Sequence, residues 1–369
     1  MRSERRVSTI ELFFDLVFVF TITQLAHLLE DNLTPEGVVQ VILIFVVLFW
    51  MYGAYAWLTN QVAPDTAVRQ VWLVAGMAGF LVCALAIPHA LDDKAIIFGI
   101  GHLWVVMVHT VLYAKSFGAV VWQFSPFNFL SAILILGATS LETPVLYGLW
   151  LLAILSQTIP PVLVRRTMSF DVQPAHFVER HGLLLIVALG ESIIAIGAAI
   201  DPSELDVQLA VAAILSLALC AAMWWEYFAF DPERAEHMLS SVSTSERNRA
   251  AIGGYFYAFL IMLLGVVAMA VGIKESLGHF DEAIEYPVAL VLAAGVGVYL
   301  VGQIAFRYAM RFEIGRLRLI APILAIATTT LGTWVSAGSE LVALVVLLVV
   351  VAFVDSRGQT AQRAHSGMS

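Results

Sequence analysis

Residues 176–200, HFVERHGLLLIVALGESIIAIGAAI, form a run long enough to cross a membrane, with charged side chains at its start and at its middle. The run opens with four polar residues, His176, Glu179, Arg180 and His181. Glu191 and Ser192 follow after nine residues, almost all of them apolar. Since a helix rises about 1.5 Å per residue, Glu191 lies roughly 18 Å from Glu179, near the middle of a bilayer. Ionisable side chains at that depth are costly, so Glu191 is a candidate functional group.

Helical geometry places three of these side chains on one stripe. At about 100° per residue, Glu191 falls about 20° from Arg180 and about 60° from His176 on the helical wheel. Gly190 precedes Glu191 directly and Gly197 follows it about two turns later, so both lie near the same depth in the membrane. Small residues of this kind are common where two membrane helices pack closely, so we expect another helix to approach here.

The composition places the whole chain in a membrane. Of its 369 residues, 60% are hydrophobic and only 13% are charged, and the mean hydropathy is +0.89. A soluble domain with this composition would have too little polar surface, so we predict an all-α, polytopic integral membrane protein. Cys83 and Cys220 both fall inside apolar runs and indicate neither a disulfide framework nor a thiolate metal site.

The apolar runs predict about twelve transmembrane helices. They cover residues 9–29, 37–59, 71–91, 95–114, 126–141, 144–164, 177–200, 207–230, 251–273, 286–307, 318–337 and 340–354. The fifth and twelfth runs are short for a full crossing, and either could be tilted or re-entrant. The longest polar stretch, residues 231–250, is expected to be either a short interfacial helix or a loop.

The basic residues predict the orientation of these helices. With the N-terminus in the cytoplasm, 17 of the 19 Lys and Arg residues fall in cytoplasmic segments, and only Lys94 and Lys274 fall outside. Membrane proteins show this excess of positive charge on the cytoplasmic side. We therefore expect a multi-pass membrane protein with both termini in the cytoplasm.

The order of the runs indicates an internal repeat. Runs one and seven each follow basic residues, open with a carboxylate and carry a polar pair twelve or thirteen residues later. Runs two and eight both end in aromatic clusters. We therefore predict two six-helix halves within one membrane domain, residues 1–170 and 171–369, that share one orientation because six is an even number.

The first run carries a second set of candidate residues. Glu11 and Asp15 lie one turn apart on one face of the predicted helix, and Gln24 and His27 lie further along it. One interpretation is that Asp15 or Glu11 pairs with Arg180 for structure, and the other is that these groups line a proton or substrate path. The two interpretations are compatible, since buried ionisable groups in membranes are functional candidates by default. Glu226, near the end of run eight, is expected to snorkel toward the membrane surface.

The start of run seven has some features of a metal site. His176, Glu179 and His181 are close in sequence, and Glu/His spacings of three residues occur in helical-bundle metal sites. A dedicated site needs about four ligands from facing helices, so we expect neither a metal nor a cofactor. Motifs typical of nucleotide binding or hydrolysis are absent from the sequence, so the pattern does not favour an enzyme.

Two long segments resemble the signature segments of a known family. They are IELFFDLVFVFTITQLAHLL at residues 10–29 and ERHGLLLIVALGESIIAIG at residues 179–197. The Thr59–Asn60 pair after an aromatic stretch, Arg69 and the Pro88–His89–Ala90 triplet fit the same pattern. The chain resembles the bacterial low temperature requirement protein A (LtrA) family. The resemblance implies a multi-pass membrane protein from a family named for a cold-growth phenotype, without an assigned substrate.

Two classes of function follow from these features. The first is a transporter or proton-coupled permease, because ionisable residues occur on the first helix of each predicted half: Glu11, Asp15, Gln24 and His27, then His176, Glu179, Arg180, His181, Glu191 and Ser192. The alternative is a lipid-interacting or structural membrane protein, with a membrane-embedded enzyme as its less favoured form. The expected partners are membrane lipids and a small molecule or ion, and nucleic acid is not expected.

Overall fold

The computed structural model of the chain describes residues 6–92, 94–164, 172–200, 203 and 206–366, and these contain helices and no strand. The first seven helices are α1 (Thr9–Asp31), α2 (Pro35–Gln61), α3 (Ala67–Ala86), α4 (Ala95–Phe117), α5 (Ser125–Ala138), α6 (Val145–Val164) and α7 (Pro174–Ala199). The remaining helices are α8 (Val207–Phe228), α9 (Asp231–Ser241), α10 (Thr244–Ala251), α11 (Phe259–Ser276), α12 (Tyr286–Ala309), α13 (Arg316–Ala327), α14 (Thr329–Trp334) and α15 (Ala337–Ser366).

The predicted all-α membrane fold is confirmed. Among the described residues, ten helices are long and apolar enough to cross a membrane, and α5 and α6 are shorter apolar helices. The fifth run is short, as expected. The twelfth run is not, because its helix continues past the apolar residues and supplies a candidate span of 21 residues, Ala337–Arg357. Four of the 17 basic residues assigned to the cytoplasmic side lie outside the described residues. They are Arg2, Arg5, Arg165 and Arg166.

The long polar stretch at residues 231–250 is helical. It forms most of α9 and α10, so the helical alternative is confirmed. The Ser243 side chain accepts a hydrogen bond from the Glu246 backbone and caps α10. A π-helical segment, Ile252–Ala258, then joins α10 to α11.

Short polar side chains set several helix starts, as expected from the unpaired N–H groups of a first helical turn. Ser8 and Glu11 form a capping box at the start of α1. Thr34 caps α2, where Pro35 occupies the first turn. Asp206 accepts a hydrogen bond of 2.7 Å from the backbone of Leu209 and caps α8.

The chain forms two compact units. The first contains residues 1–187 and 235–256, and the second contains residues 188–234 and 257–369. The boundary falls inside α7, so Arg180 belongs to the first unit and Glu191 to the second. The predicted division into residues 1–170 and 171–369 is a statement about an internal repeat. Compact units defined by contacts do not test for a repeat, so this division stays a prediction.

The core of the first unit is aromatic. Phe14 and Phe18 of α1 pack against Tyr52 and Tyr55 of α2 and against Phe80 of α3, with ring centroids 4.4 Å apart for Phe18 and Tyr52. All five side chains are buried. Tilted and edge-on ring pairs of this kind add attraction beyond the area they bury. They hold α1 and α2 in register, which places the polar side chains of these helices against one another.

The second unit is organised around a close contact between α11 and α12. A Cβ atom built on Gly265 would lie 2.5 Å from the backbone nitrogen of Tyr299 and 2.7 Å from the carbonyl oxygen of Gly295. Only glycine fits at such a distance, which is typical of tightly packed membrane helices.

The close approach expected at Gly190 and Gly197 is not observed. A Cβ atom built on either glycine would meet no atom within 4 Å among the described residues. The expectation was wrong because a glycine permits a close contact but does not by itself create one.

Candidate functional site

Glu11 is the point where the start of α1 meets α7. The backbone N–H and the hydroxyl of Ser8 donate hydrogen bonds to Glu11 Oε2 at 2.9 and 2.6 Å. Glu11 Oε1 lies 3.3 Å from Arg180 Nη1 and 3.2 Å from His176 Nε2. The glutamate is fully buried, so its charge is balanced by these groups and not by water.

Asp15 lies one turn further along α1 and faces the same guanidinium. Its Oδ1 lies 3.2 Å from Arg180 Nη2 and accepts a hydrogen bond of 2.8 Å from the Tyr52 hydroxyl. Asp15 is fully buried, and its Oδ2 has no hydrogen-bond partner among the described residues. One carboxylate oxygen is therefore satisfied twice, while the other keeps its capacity to accept.

Arg180 is the hub of this cluster. Its guanidinium binds both carboxylates and also donates to the Thr59 hydroxyl. Its central carbon lies 5.7 Å from the ring centroids of Phe14 and Tyr52. The side chain is 1% exposed. A planar guanidinium with several fixed donors suits such a buried, multiply bonded position better than an ammonium group would.

Asn60 of α2 fixes the orientation of His176. Asn60 Oδ1 accepts the Gln173 N–H and Asn60 Nδ2 donates to the Gln173 carbonyl, both at 3.0 Å. These two backbone bonds define which end of the amide is the donor. Asn60 Nδ2 also lies 3.2 Å from His176 Nδ1, which must therefore be the acceptor. The remaining proton lies on Nε2, so a neutral His176 donates to Glu11.

The salt bridge predicted between Arg180 and Glu11 or Asp15 is thus confirmed, and Arg180 contacts both. Two buried carboxylates, one guanidinium and one neutral imidazole meet where α1, α2 and α7 pack. We call the side chains of Glu11, Asp15, His176 and Arg180 the Arg180 cluster. The guanidinium stabilises both carboxylates in their charged form, and Asp15 Oδ2 is the carboxylate oxygen of this cluster without a hydrogen-bond partner among the described residues.

The other predicted residues at the start of α7 take different positions. Glu179 is exposed and accepts a hydrogen bond of 3.1 Å from the backbone of Val7. His181 is buried, with Nδ1 lying 2.8 Å from the Phe177 carbonyl and the ring packed 4.8 Å from that of Tyr255. The side chains of Glu179 and His181 point away from that of Arg180, because successive residues of a helix point about 100° apart.

The same arrangement bears on the metal hypothesis. His176 faces Glu11, His181 faces aromatic rings, and Glu179 is exposed. Among the described residues, no group of three or more His, Cys, Asp or Glu side chains could hold a metal ion.

The remaining predicted residues lie elsewhere on α1 and α7. Gln24 is half-buried and His27 is exposed, both beyond the Arg180 cluster on α1. Glu191 is half-buried. Ser192 is buried, and its hydroxyl has no hydrogen-bond partner among the described residues.

Sequence reasoning missed the contribution of α2. Tyr52, Thr59 and Asn60 complete the Arg180 cluster, yet they lie in a helix that is otherwise apolar and aromatic. A signal was present, because Thr59 and Asn60 are adjacent polar residues at the end of that apolar run. Their partners could not be inferred, since Asn60 and His176 are 116 positions apart.

The second unit contains its own buried ionic network. Arg307 Nε lies 3.0 Å from Asp231 Oδ2, and Arg307 Nη1 lies 2.7 Å from Asp355 Oδ2. Arg318 also binds Asp355, at 2.7 Å, and binds Glu226. Glu226 is 3% exposed, so it does not snorkel toward the surface. The guanidinium of Arg318 keeps it inside, because a buried carboxylate is stabilised by a close cation.

A further buried carboxyl group lies near the start of α15. Glu340 is fully buried, and neither of its side-chain oxygens has a hydrogen-bond partner among the described residues. The twelfth apolar run, residues 340–354, begins at Glu340, so the sequence pattern placed this residue at the end of a membrane span.

Comparison with known proteins agrees with this architecture. An uncharacterized protein of Rhizobium meliloti (strain 1021) is 27% identical over 317 residues, which cover 81% of this chain and 76% of the relative. The family described as bacterial low temperature requirement A protein (LtrA) matches residues 6–353. This match covers nearly all of the sequence, including α1, α7 and every member of the Arg180 cluster. The chain therefore belongs to the bacterial low temperature requirement A (LtrA) protein family.

Proposed function

We propose that this multi-pass membrane protein is a proton-coupled transporter in which the Arg180 cluster is part of the coupling machinery. The observation that carries the proposal is the burial of Asp15 and Glu11 against one arginine inside a bundle of apolar helices. Charged groups in membrane helices are costly to bury and are found mainly where ions, protons or substrates move.

Asp15 is the group best suited to exchange a proton. Its Oδ1 is bound by Tyr52 and Arg180, while its Oδ2 has no hydrogen-bond partner among the described residues. Protonation at Oδ2 would weaken the attraction to Arg180 and leave that guanidinium bound mainly by Glu11 and Thr59. Such a change in charge can bias a two-state packing of α1 against α7.

Glu191 and Ser192, on the later turns of α7, extend the proposed path. Glu191 is half-buried and lies in the second compact unit, so it is a candidate separate from the Arg180 cluster. The proposed location is a bacterial plasma membrane with both termini in the cytoplasm, supported by the distribution of Lys and Arg. The proposed partners are membrane lipids and a small molecule or ion, and a role in growth at low temperature belongs to the same proposal.

A structural role is the second candidate. The Arg180 side chain is 1% exposed and binds groups from both α1 and α2, which also suits a permanent clamp between helices. A clamp would not need Asp15 to exchange a proton, whereas a coupled transporter would.

Flux through the reconstituted protein separates the two candidates. Proteoliposomes that enclose a pH-sensitive dye would be tested with a broad panel of small molecules and ions. Transport predicts a substrate-dependent pH change in wild type that is lost in Asp15→Asn, while thermal unfolding shows that the variant is folded. A folded Asp15→Asn protein with full flux would exclude Asp15 from coupling. Absence of any flux in wild type across the panel would favour the clamp.

The proposed orientation has its own test. Single cysteines would be placed at Ser203 and Ser243 in a variant without Cys83 and Cys220, both of which are buried. A membrane-impermeant thiol reagent added to intact cells should label the cysteine at position 203 and not the one at 243. Labelling in the opposite pattern would reverse the orientation.

A further inference from the structure

The first unit contains a cavity that is separate from the Arg180 cluster. The centre of a water-sized sphere can occupy about 80 Å³ of this cavity, which is partly open to its surroundings. Side chains of α2, α4, α5 and α6 and of the π-helical segment line it. Sites for small organic molecules are mostly apolar with a few polar groups, which is also the character of this lining.

Aromatic side chains form one wall of this cavity. Trp50 and Trp57 of α2 both meet Phe256 edge-on, with centroid distances of 5.2 and 6.1 Å. Phe127 of α5 also lines the cavity and is 38% exposed, so the cavity opens near the start of α5. Flat, rigid walls of this kind favour a flat aromatic ligand, because ring pairs gain from offset and edge-on contact.

Polar side chains lie on the facing helices. His109, Ser125, Asn128 and Gln157 all line the cavity and are each 6% exposed or less. Gln157 is the most informative. Its Nε2 lies 3.5 Å from His102 Nε2, while its Oε1 has no hydrogen-bond partner among the described residues. A buried carbonyl oxygen without a partner carries a desolvation cost that a ligand with an O–H or N–H group would relieve.

Charge is absent from the described lining. None of these lining residues is Asp, Glu, Lys or Arg. A charged ligand would lose its hydration and meet no opposite charge, which is strongly unfavourable. The lining therefore selects against carboxylates and amines.

We propose that this cavity binds an uncharged aromatic molecule with one hydrogen-bond donor, of the phenol or indole class, and that Gln157 Oε1 accepts that donor. The site does not depend on the transport proposal, because none of its residues belongs to the Arg180 cluster. A binding measurement alone decides it.

Three probes test the chemistry of the site. The purified full-length protein in lipid nanodiscs would be dialysed to equilibrium with 2-naphthol, 2-methoxynaphthalene or 2-naphthoate, and empty nanodiscs would give the lipid partition. We expect saturable binding of 2-naphthol. Because 2-methoxynaphthalene has no donor, it should bind about tenfold more weakly. The charged 2-naphthoate should bind more weakly still.

Variants then locate the site. Ala54→Phe, which fills the cavity from α2, should abolish saturable binding. Gln157→Leu should weaken 2-naphthol about tenfold and leave 2-methoxynaphthalene unchanged, which also shows that the cavity is intact. Gln303→Leu, at a buried glutamine of the second unit, is the matched control and should bind like wild type.

Several outcomes would overturn the proposal. Uptake of 2-naphthol equal to that of empty nanodiscs would show that no site exists. Unchanged saturable binding in a folded Ala54→Phe protein would place the site elsewhere. Equal binding of 2-naphthol and 2-naphthoate would remove the selection against charge, and equal binding of 2-naphthol by wild type and Gln157→Leu would remove the role of Gln157.

Discussion

Arg180 Nη2 lies 3.2 Å from Asp15 Oδ1, although 165 positions separate the two residues in the sequence. The pair joins α7 to α1 inside the first compact unit, and Tyr52 of α2 completes it through its hydroxyl. The effect of a substitution at such a buried pair depends on whether it removes one charge or both. Removing both charges can be tolerated, whereas removing one leaves the other buried without compensation.

Replacement of Arg180 tests that asymmetry. Arg180→Met leaves Glu11 and Asp15 buried without their cation and should lower the free energy of unfolding by about 3–5 kcal/mol. Arg180→Lys should lose less, since an ammonium keeps the charge but cannot bind both carboxylates in the same way. Thermal unfolding of the purified variants in one detergent would measure the difference.

The control for this experiment is Arg69→Met. Arg69 pairs with Asp65 at 2.7 Å, but the two side chains are 41% and 64% exposed. Exposed ion pairs contribute about 1 kcal/mol or less, so Arg69→Met should change stability little. Equal losses of stability in the Arg69 and Arg180 variants would show that the contribution of Arg180 to stability does not depend on its burial.

Glu191→Gln tests the proposed path along α7. The substitution keeps the side-chain volume and the hydrogen-bonding capacity but removes the exchangeable proton. We expect the variant to fold and reach the membrane, yet to lose the substrate-dependent pH change in proteoliposomes and to fail to restore growth in the cold. Ser192→Ala removes one hydroxyl and no charge, so it should retain more activity. A fully active Glu191→Gln protein would exclude a titrating role for Glu191.

Two buried glutamates of the second unit should respond in opposite directions to the same change. Neither oxygen of Glu340 has a hydrogen-bond partner among the described residues, so Glu340→Met should raise the free energy of unfolding by about 1–3 kcal/mol. Glu226 binds Arg318, so Glu226→Met should lower it by about 3–5 kcal/mol. Denaturant titration of both variants gives the sign directly. A loss of stability in Glu340→Met would indicate that Glu340 has a stabilising partner.

Alanine substitutions at two glycines test the packing of the second unit. Gly265→Ala places a Cβ atom 2.5 Å from the backbone of Tyr299, so α11 and α12 must separate and the loss should be about 1–3 kcal/mol. Gly190→Ala meets no described atom within 4 Å. It should be neutral or stabilising by up to about 1 kcal/mol, because alanine favours the helix. Equal losses at both positions would contradict the contact described for Gly265.

Much of the secondary structure could be predicted because it depends on local pattern. Each of the twelve apolar runs corresponds to a helical segment, since a membrane leaves a spanning chain few alternatives to a helix. Pairing of Arg180 with Glu11 or Asp15 was predictable for a related reason. Charges buried in apolar helices must find a partner of opposite sign, and Arg180 was the evident cation for these two carboxylates.

The sequence by itself therefore determined that the chain is a helical membrane protein, where most helices lie, and which charges needed partners. Only the tertiary structure decided that Glu179 is exposed, that Thr59 and Asn60 complete the Arg180 cluster, and that Gly265 and not Gly190 marks a close contact. The physical reason is that hydropathy and helical period are local properties of the chain. Which faces of two distant helices meet depends on packing between residues more than a hundred positions apart.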